Sequence, residues 1–221
     1  MDVIQLLYFK KQCNLDKKQK INSYCHITKN TVFINGKIIV QENEELTFSE
    51  FSKKIYKDNN LSYSKFFKMD NISKLAFLGA ELIFRHTNIL KQDDAIAIVL
   101  SNRASSLDTD RKYQESISDE SNYYPSPAVF VYTLPNIAIG EISIRHQLKS
   151  ENAFFVFDKF NAEFLNKYAT VLIKNKKATT VLCGWVDFDN NAYEAFLYLV
   201  SQNGDVILTT EEINRRYQNK N

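Results

Sequence analysis

Glycine, histidine and cysteine are all scarce in this sequence. Five glycines and three histidines occur among its 221 residues, which restricts the chemistry open to the chain. The cysteines are Cys13, Cys25 and Cys183. Their odd number and irregular spacing argue against a disulfide framework, and the lack of a C-x-x-C pair argues against a zinc site. The sequence therefore predicts neither a metal nor a cofactor.

Long apolar runs and an excess of one charge are missing as well. No run approaches the ~18 residues that span a bilayer, and residues 1–11 lack the basic start and small-residue cleavage site of a signal peptide. The 28 Lys and Arg residues against 26 Asp and Glu give a net charge of +2, which offers no electrostatic reason for a nucleic-acid partner. We expect a cytoplasmic protein with no membrane span and no nucleic-acid partner.

Hydrophobic residues make up 44% of the chain, enough for one domain with a large core. Residues 1–60 are interpreted as an N-terminal extension. It contains a hairpin pattern, two short strands joined by Asn35-Gly36. Thr47 is placed to cap a short helix over residues 47–57. This extension can belong to the core or wrap a neighbouring chain.

Residues 61–201 alternate between helical and strand patterns. Apolar side chains recur at three- and four-residue steps from Asn71 to His86, which predicts a long helix. The apolar run 95–100 predicts a strand covered on both faces, and the polar stretch 101–122 predicts a loop with some helix. Further strands are predicted over residues 154–157, 179–185 and 195–200, with a helix over residues 161–174. The alternation indicates a layered α/β domain with a mixed sheet.

The same patterns predict which faces are inside. The strand over residues 154–157 is predicted to be buried. The helix that follows is expected to turn five apolar side chains inward: Phe164, Leu165, Tyr168, Val171 and Leu172. Residues 202–221 are predicted to form a turn at Asn203-Gly204, a short strand and a helical tail that begins at Thr210.

One segment allows two interpretations. Residues 135–144 alternate like a strand. Pro135 at a first helical position, with Ile137, Glu141 and Ile144 on one face, also allows a helix. The pattern alone does not decide between the two.

Several stretches follow one another in an order that is specific as a set, although each is weak alone. They are residues 63–74, 95–101, 126–145, 151–157, 181–187 and 193–201. The third contains the pair Pro135-Asn136, and the fifth contains Gly184 and Asp187. In order and spacing they resemble the N-terminal half of the β-ketoacyl synthases, from about residue 60 to residue 201.

This resemblance implies a fold and a set of motif positions. The fold is half of the thiolase-like fold, a layered α-β-α arrangement with a five-stranded mixed sheet. It favours a helix over residues 136–145. Pro135, Asn136, Gly184 and Asp187 would occupy positions of the family's motifs.

The resemblance also implies a cysteine nucleophile, which this sequence lacks. In the family the cysteine lies at a tight strand-to-helix turn, where the helix N-terminus lowers its pKa. That position falls at or next to Lys159, between Phe157-Asp158 and Phe160-Asn161, in a segment without Cys, Ser, Thr or Gly. Phe160 would crowd the access of an acyl chain. The family's second half, with its two histidines, is expected to be missing. We therefore expect no catalytic residue here.

Structural roles are expected for the other side chains that could carry chemistry. The histidines do not match the family's catalytic positions: His86 is expected in the core or at a helix end, and His146 at a helix end. Cys25 and His26 are adjacent in sequence but are not expected to form a catalytic pair.

Three further residues have similar expectations. Asp108 and Asp110 lack the remaining ligands of a calcium loop and are expected to cap a helix or a turn. Cys183 lies in an apolar strand, which predicts an inert buried thiol.

The resemblance also implies a partner. In the family, the strand before the nucleophile pairs with its own copy across a two-fold axis. Here that strand is Phe154, Phe155, Val156 and Phe157, which carries no charge and is an aggregation hazard unless its edge is paired. We expect a homodimer or a heterodimer with a complete ketosynthase, and an acyl carrier protein as a possible third component.

Three functions stay open. The first is a catalytically inactive ketosynthase-like subunit, similar to the chain-length factors of polyketide, aryl-polyene and pigment pathways. The second is an enzyme that performs acyl transfer or decarboxylation in a remnant pocket, with Lys159, Asp158 or Asn136 acting together. The third is a scaffold or binding module with no affinity for a carrier protein.

Overall fold

A mixed sheet of eight strands forms the middle layer of the protein. The computed structural model describes residues 18–44, 46–87, 89 and 95–219. The strands are β1 (Lys20–Thr28), β2 (Thr31–Ile34), β3 (Lys37–Gln41), β4 (Ile96–Asn102), β5 (Asn152–Val156), β6 (Thr180–Asp189), β7 (Ala192–Ser201) and β8 (Val206–Ile207). Their order is β3-β2-β1-β7-β6-β4-β5, and β8 pairs with β1.

The helices cover both faces of this sheet. They are α1 (Phe48–Asp58), α2 (Asn71–Thr87), α3 (Leu107–Glu115), α4 (Pro127–Phe130), α5 (Ile137–His146), α6 (Ala162–Lys174) and α7 (Thr210–Gln218). Short 3-10 turns cover Ser64–Lys68, Glu120–Asn122 and Val131–Thr133.

The predicted count of five strands is wrong. Strand β1 lies between β2 and β7 and pairs antiparallel with both. The hairpin β2–β3 is therefore part of the main sheet, because β1 connects it to β7. Strand β4 runs parallel to β5 and β6, so the sheet is mixed, as predicted.

Local sequence explains the first helix and the first hairpin. The backbone N–H of Glu50 donates to Oγ1 of Thr47, and the Glu50 carboxylate accepts from the N–H of Thr47. This capping box satisfies two donors at the start of α1. Asn35 and Gly36 adopt positive φ angles of 52° and 79°, as a two-residue hairpin turn requires.

The ambiguous segment is a helix. Residues 137–146 form α5, which buries Ala138, Ile139 and Ile142 on one face. The helix ends at Gln147, whose φ of 55° is left-handed. The three- and four-residue spacing prevails over the alternation because it gives α5 one continuous apolar face against α2.

Alternation along the strands separates two hydrophobic layers. Cys25 and Ile27 of β1 belong to the layer with α1, α2 and α5, whereas Tyr24 belongs to the layer with α6 and α7. Helix α2 is covered almost completely, with 12 buried residues among its 17. The result is the predicted α-β-α arrangement.

Two predicted inner faces are wrong. Strand β5 lies at one end of the sheet, and none of its five residues is buried, because an edge strand has a neighbour on one side only. In α6 the side chain of Val171 is 53% exposed. Leu165 and Leu172 do face the sheet, but Val171 lies on the outer side of the helix, as its 3.6-residue period requires. Phe164 and Tyr168 are half-buried.

Within the described ranges no single helix is long and apolar enough to cross a membrane. Two consecutive helical segments, Pro127–Thr133 and Ile137–His146, reach the required length and composition only together, and they are bent by 101°. Cys13 and residues 1–11 lie outside the described residues.

Candidate functional site

The turn between β5 and α6 is the position at which a condensing enzyme would carry its nucleophile. The N–H of Phe157 donates to the carbonyl of Asn102 on β4 at 2.9 Å, which holds the end of β5 against the sheet. Asn161 caps α6 by accepting from the N–H of Phe164 at 3.0 Å. Between these two fixed points, Asp158 and Lys159 are exposed to solvent. The backbone thus makes a strand-to-helix turn whose central side chains are charged.

Phe160 points inward from this turn. Its ring centroid lies 4.5 Å from that of Tyr217 on α7, 5.6 Å from that of Phe196 on β7 and 6.4 Å from that of Trp185 on β6. These edge-to-face and tilted contacts are the favoured geometries of aromatic pairs. Phe160 therefore fills the space between the turn, the sheet and α7.

A cavity of about 410 Å³ lies beside the turn, lined by residues 157–163 together with Thr210 and Asn214 of α7. The hydroxyl of Thr210 accepts from Nδ2 of Asn166 at 3.4 Å. Among its described lining residues there is no cysteine and no histidine. Lys159 and Asp158 do line it, but Asn136 does not, so the three candidates for a remnant pocket are not brought together there.

The four motif residues have structural roles in this fold. Asp187 accepts from the backbone N–H groups of Arg103 and Ala104 at 3.1 and 3.0 Å, which ties the end of β4 to β6. Gly184 has no space for a Cβ, which would meet the carbonyl oxygen of Phe196. Pro135 and Asn136 precede α5, and the carbonyl of Asn136 accepts from the N–H of Gly140 at 3.1 Å.

The histidines lie in three separate places. Nε2 of His26 is 2.9 Å from Oε1 of Glu194, Nε2 of His86 is 3.3 Å from Nδ2 of Asn35, and His146 lies at the end of α5. His86 is exposed at the end of α2.

The two thiols of the described chain are buried. Cys25 and His26 point to opposite faces of the sheet, as neighbours in a strand do. Burial raises the pKa of the Cys25 and Cys183 thiols, which keeps both protonated and unreactive.

Asp108 and Asp110 lie in the first turn of α3. Asp108 accepts from Asn71 and Lys112 at 3.0 and 2.6 Å, and Asp110 accepts from Ser106 at 3.2 Å. Within the described residues no group of three or more His, Cys, Asp or Glu side chains could hold a metal ion.

Sequence reasoning missed the buried carboxylates. Glu81 is 2% exposed, with Nε of Arg145 and Nε2 of His146 at 2.9 and 3.2 Å. Glu141 is equally buried and lies 2.9 Å from Nζ of Lys65 and from the hydroxyl of Tyr132. Both interrupt apolar helical stretches, which is a signal for a buried and paired charge.

Strand β5 presents an unpaired edge at the end of the sheet. Val156 is 54% exposed, and Phe154, Phe155 and Phe157 are half-buried. The four residues of the expected interface therefore lie at an accessible edge.

No protein-family model and no curated protein matches this sequence. Similar solved structures include the ishigamide ketosynthase/chain length factor, with a TM-score of 0.62 and 16% identity over 84% of this chain. A ketosynthase in complex with its chain length factor from Xenorhabdus doucetiae gives a TM-score of 0.53 and 12% identity over 85% of this chain. A type II polyketide synthase acyl-carrier protein in complex with its ketosynthase gives 0.53 and 14% over 82%.

This chain spans 62%, 80% and 62% of the length of those three chains, respectively. Sequence identities of 12–16% establish a shared fold and nothing finer. The architecture of this protein is that of the thiolase-like ketosynthases and chain length factors.

Proposed function

We propose that this chain is a catalytically inactive ketosynthase-like subunit that pairs through β5 with a chain of the same fold in fatty-acid or polyketide-type biosynthesis. The observation that carries this proposal is the turn between β5 and α6. In a fold shared with condensing enzymes, that turn exposes Asp158 and Lys159 and fills its inner side with Phe160.

The chemistry of condensation explains why this turn is decisive. Acyl transfer from a carrier protein needs a nucleophile that forms a thioester or ester and a nearby base or positive dipole to activate it. Residues 157–163 contain no Cys, Ser or Thr. The carboxylates of Asp158 and Glu163 are poor replacements, since water solvates both side chains.

The open edge of β5 supports the pairing half of the proposal. An unpaired strand with apolar side chains is a template for another strand. Solved structures of the same fold include a ketosynthase with its chain length factor and a ketosynthase with an acyl-carrier protein. We extend both kinds of partner to this chain, with residues 61–201 as the ketosynthase-like unit.

An enzyme that uses a remnant pocket has less support. A lysine that forms a Schiff base has to be shielded from water, whereas Lys159 is exposed. Asn136 lies outside the cavity that Lys159 and Asp158 line. No second function is therefore proposed.

Co-purification tests the proposal. The tagged chain is expressed with the complete ketosynthase and the carrier protein encoded beside it, and the complexes are separated by size. We expect the chain to elute as a dimer with itself or with the ketosynthase and to change the length of the acyl product. A chain that stays monomeric and leaves product length unchanged would favour the scaffold interpretation instead.

A further inference from the structure

We propose that the chain paired with β5 is a second copy of this protein, related by a two-fold axis that passes beside Phe155. The inference rests on the proposed function, because it takes β5 as the pairing edge. It adds the identity of the partner and the register of the two strands, both of which follow from the backbone and the side chains of residues 151–159.

The backbone determines which groups are free at this edge. The carbonyl of Glu151 accepts from Ile98, and the N–H of Phe157 donates to Asn102, both on β4. Backbone groups of alternate residues in a strand point to opposite sides, so residues 153 and 155 also face β4. The N–H and C=O groups that face away from the sheet belong to Asn152, Phe154 and Val156. A second strand would bond to these three residues.

Symmetry limits the possible registers. A two-fold axis perpendicular to the sheet makes the two copies of β5 antiparallel and keeps each side chain on its own face. Facing residues must share a face, so the axis has to pass beside one residue and its own copy. Near the middle of the strand the candidates are Phe154 and Phe155.

An axis beside Phe155 matches every facing pair by charge, polarity or size. It places Glu151 opposite Lys159, Asn152 opposite Asp158, Ala153 opposite Phe157, and Phe154 opposite Val156. The first pair joins opposite charges twice, once on each side of the axis. The small side chain of Ala153 leaves room for the ring of Phe157. Pairs of these kinds stabilise facing strands.

An axis beside Phe154 gives mismatches. It places Lys149 opposite Lys159, Glu151 opposite Phe157, and Asn152 opposite Val156. Like charges directly opposite each other destabilise a strand pair, and a carboxylate facing a ring loses water without gaining a partner. The chemistry of this edge therefore favours the axis at Phe155.

The two charged residues are available for such pairs. Lys159 is exposed and forms no ion pair with any residue in the described ranges. The side chain of Glu151 is 50% exposed, and its nearest cation within the chain is Nζ of Lys177 at 3.6 Å. Neither residue would have to break a buried interaction in order to pair across the axis.

Four half-buried rings surround the proposed axis on the α6 face of the sheet. The ring of Phe155 lies 4.7 Å from Phe164, 5.3 Å from Tyr168 and 6.0 Å from Phe157. All four rings are partly exposed in the single chain. A second copy would bring the same four rings against them and remove both sets from water.

Disulfide trapping tests the register. With Cys13→Ser removing the one native cysteine outside the buried pair, Phe155→Cys would place two thiols on facing residues at a Cα separation of about 4.5 Å, within disulfide range. We expect a covalent dimer of F155C on mild oxidation and little from the matched control F154C. Trapping through F154C instead would overturn the register but leave β5 pairing in place.

Charge reversal tests the occupant. Lys159→Glu should weaken self-association about tenfold in sedimentation, and adding Glu151→Lys should restore it, because two cross-axis pairs are reversed together. The control Lys167→Glu, on the outer face of α6, should change little. A monomer that pairs with a ketosynthase would overturn the second-copy assignment alone. A monomer that binds neither would overturn the proposed function as well.

Discussion

The hydroxyl of Tyr217 donates a 2.8 Å hydrogen bond to Oε2 of Glu194, and Oε1 of the same carboxylate lies 2.9 Å from Nε2 of His26. The rings of Tyr217 and His26 are stacked, with centroids 5.9 Å apart. These residues come from α7, β7 and β1. The C-terminal helix is thus attached to the sheet beside the β5–α6 turn, where Tyr217 also contacts Phe160.

Removing the Tyr217 hydroxyl should loosen this attachment. Tyr217→Phe keeps the ring contacts but loses a hydrogen bond to a carboxylate, so we expect the free energy of unfolding to fall by about 1.5–3 kcal/mol. Tyr217→Ala also loses the ring and should cost about 3–5 kcal/mol. Urea denaturation measures both. Equal stability of the wild type and Tyr217→Phe would contradict a structural role for the hydroxyl.

Acid should weaken the ion cluster around Glu81. Burial alone raises the pKa of this carboxyl, but the hydrogen bonds and charges of His146 and Arg145 outweigh it and lower the pKa to about 2 from 4.5. A lowered pKa stabilises the fold fully above pH 4.5 and loses that contribution as the pH falls toward 2.

The variant Glu81→Gln isolates this contribution. At pH 7 it should unfold with about 3 kcal/mol less free energy, because Arg145 loses its buried partner. Its stability should also depend less on pH between 4.5 and 2. The exposed Glu211→Gln is the control. Parallel stability curves for the wild type and Glu81→Gln over that range would show that Glu81 does not carry the acid dependence.

Two glycines should respond to alanine with opposite signs. At Gly184 a Cβ would meet the backbone oxygen of Phe196, whereas at Gly140, inside α5, nothing lies within 4 Å of it. Gly184→Ala should destabilise the fold by about 1–3 kcal/mol. Gly140→Ala should stabilise it by about 0.5–1 kcal/mol through helix propensity. Thermal denaturation distinguishes the two, and a tolerated Gly184→Ala would mean that β6 and β7 can separate locally.

Asp187 should matter for the fold through its acceptor atom. Asp187→Asn keeps an oxygen for the N–H groups of Arg103 and Ala104, whereas Asp187→Ala leaves both donors without it. We expect Asp187→Ala to cost about 1–3 kcal/mol and Asp187→Asn clearly less. If both variants lost the same stability, the negative charge rather than the hydrogen bonds would be the stabilising feature.

Most elements could be predicted because local patterns determine them. The capping residue Thr47, the turn at Asn35-Gly36 and the apolar spacing of Asn71–Thr87 each act within a few residues, and all three were found where expected. The resemblance correctly favoured a helix over residues 136–145. Sequence alone could not, because both periods fit that segment.

The sheet and the site were harder to predict because they depend on distant contacts. The partners of β1 are residues 31–34 and 192–201, and no local pattern states that a hairpin from the start of the chain joins the main sheet. The cluster of His26, Glu194 and Tyr217 joins residues more than 160 positions apart. For the same reason β5, an apolar run, gave no sign of lying at the edge rather than in the middle.

Mass spectrometry of the intact chain tests the inactive-subunit account most directly. The purified protein is incubated with acyl carrier protein that carries an activated acyl group, alone and with the complete ketosynthase, and its mass is measured before and after turnover. The account predicts an unchanged mass, with the acyl group appearing on the ketosynthase only. An acyl adduct on this chain, mapped by digestion to residues 157–163, would contradict it.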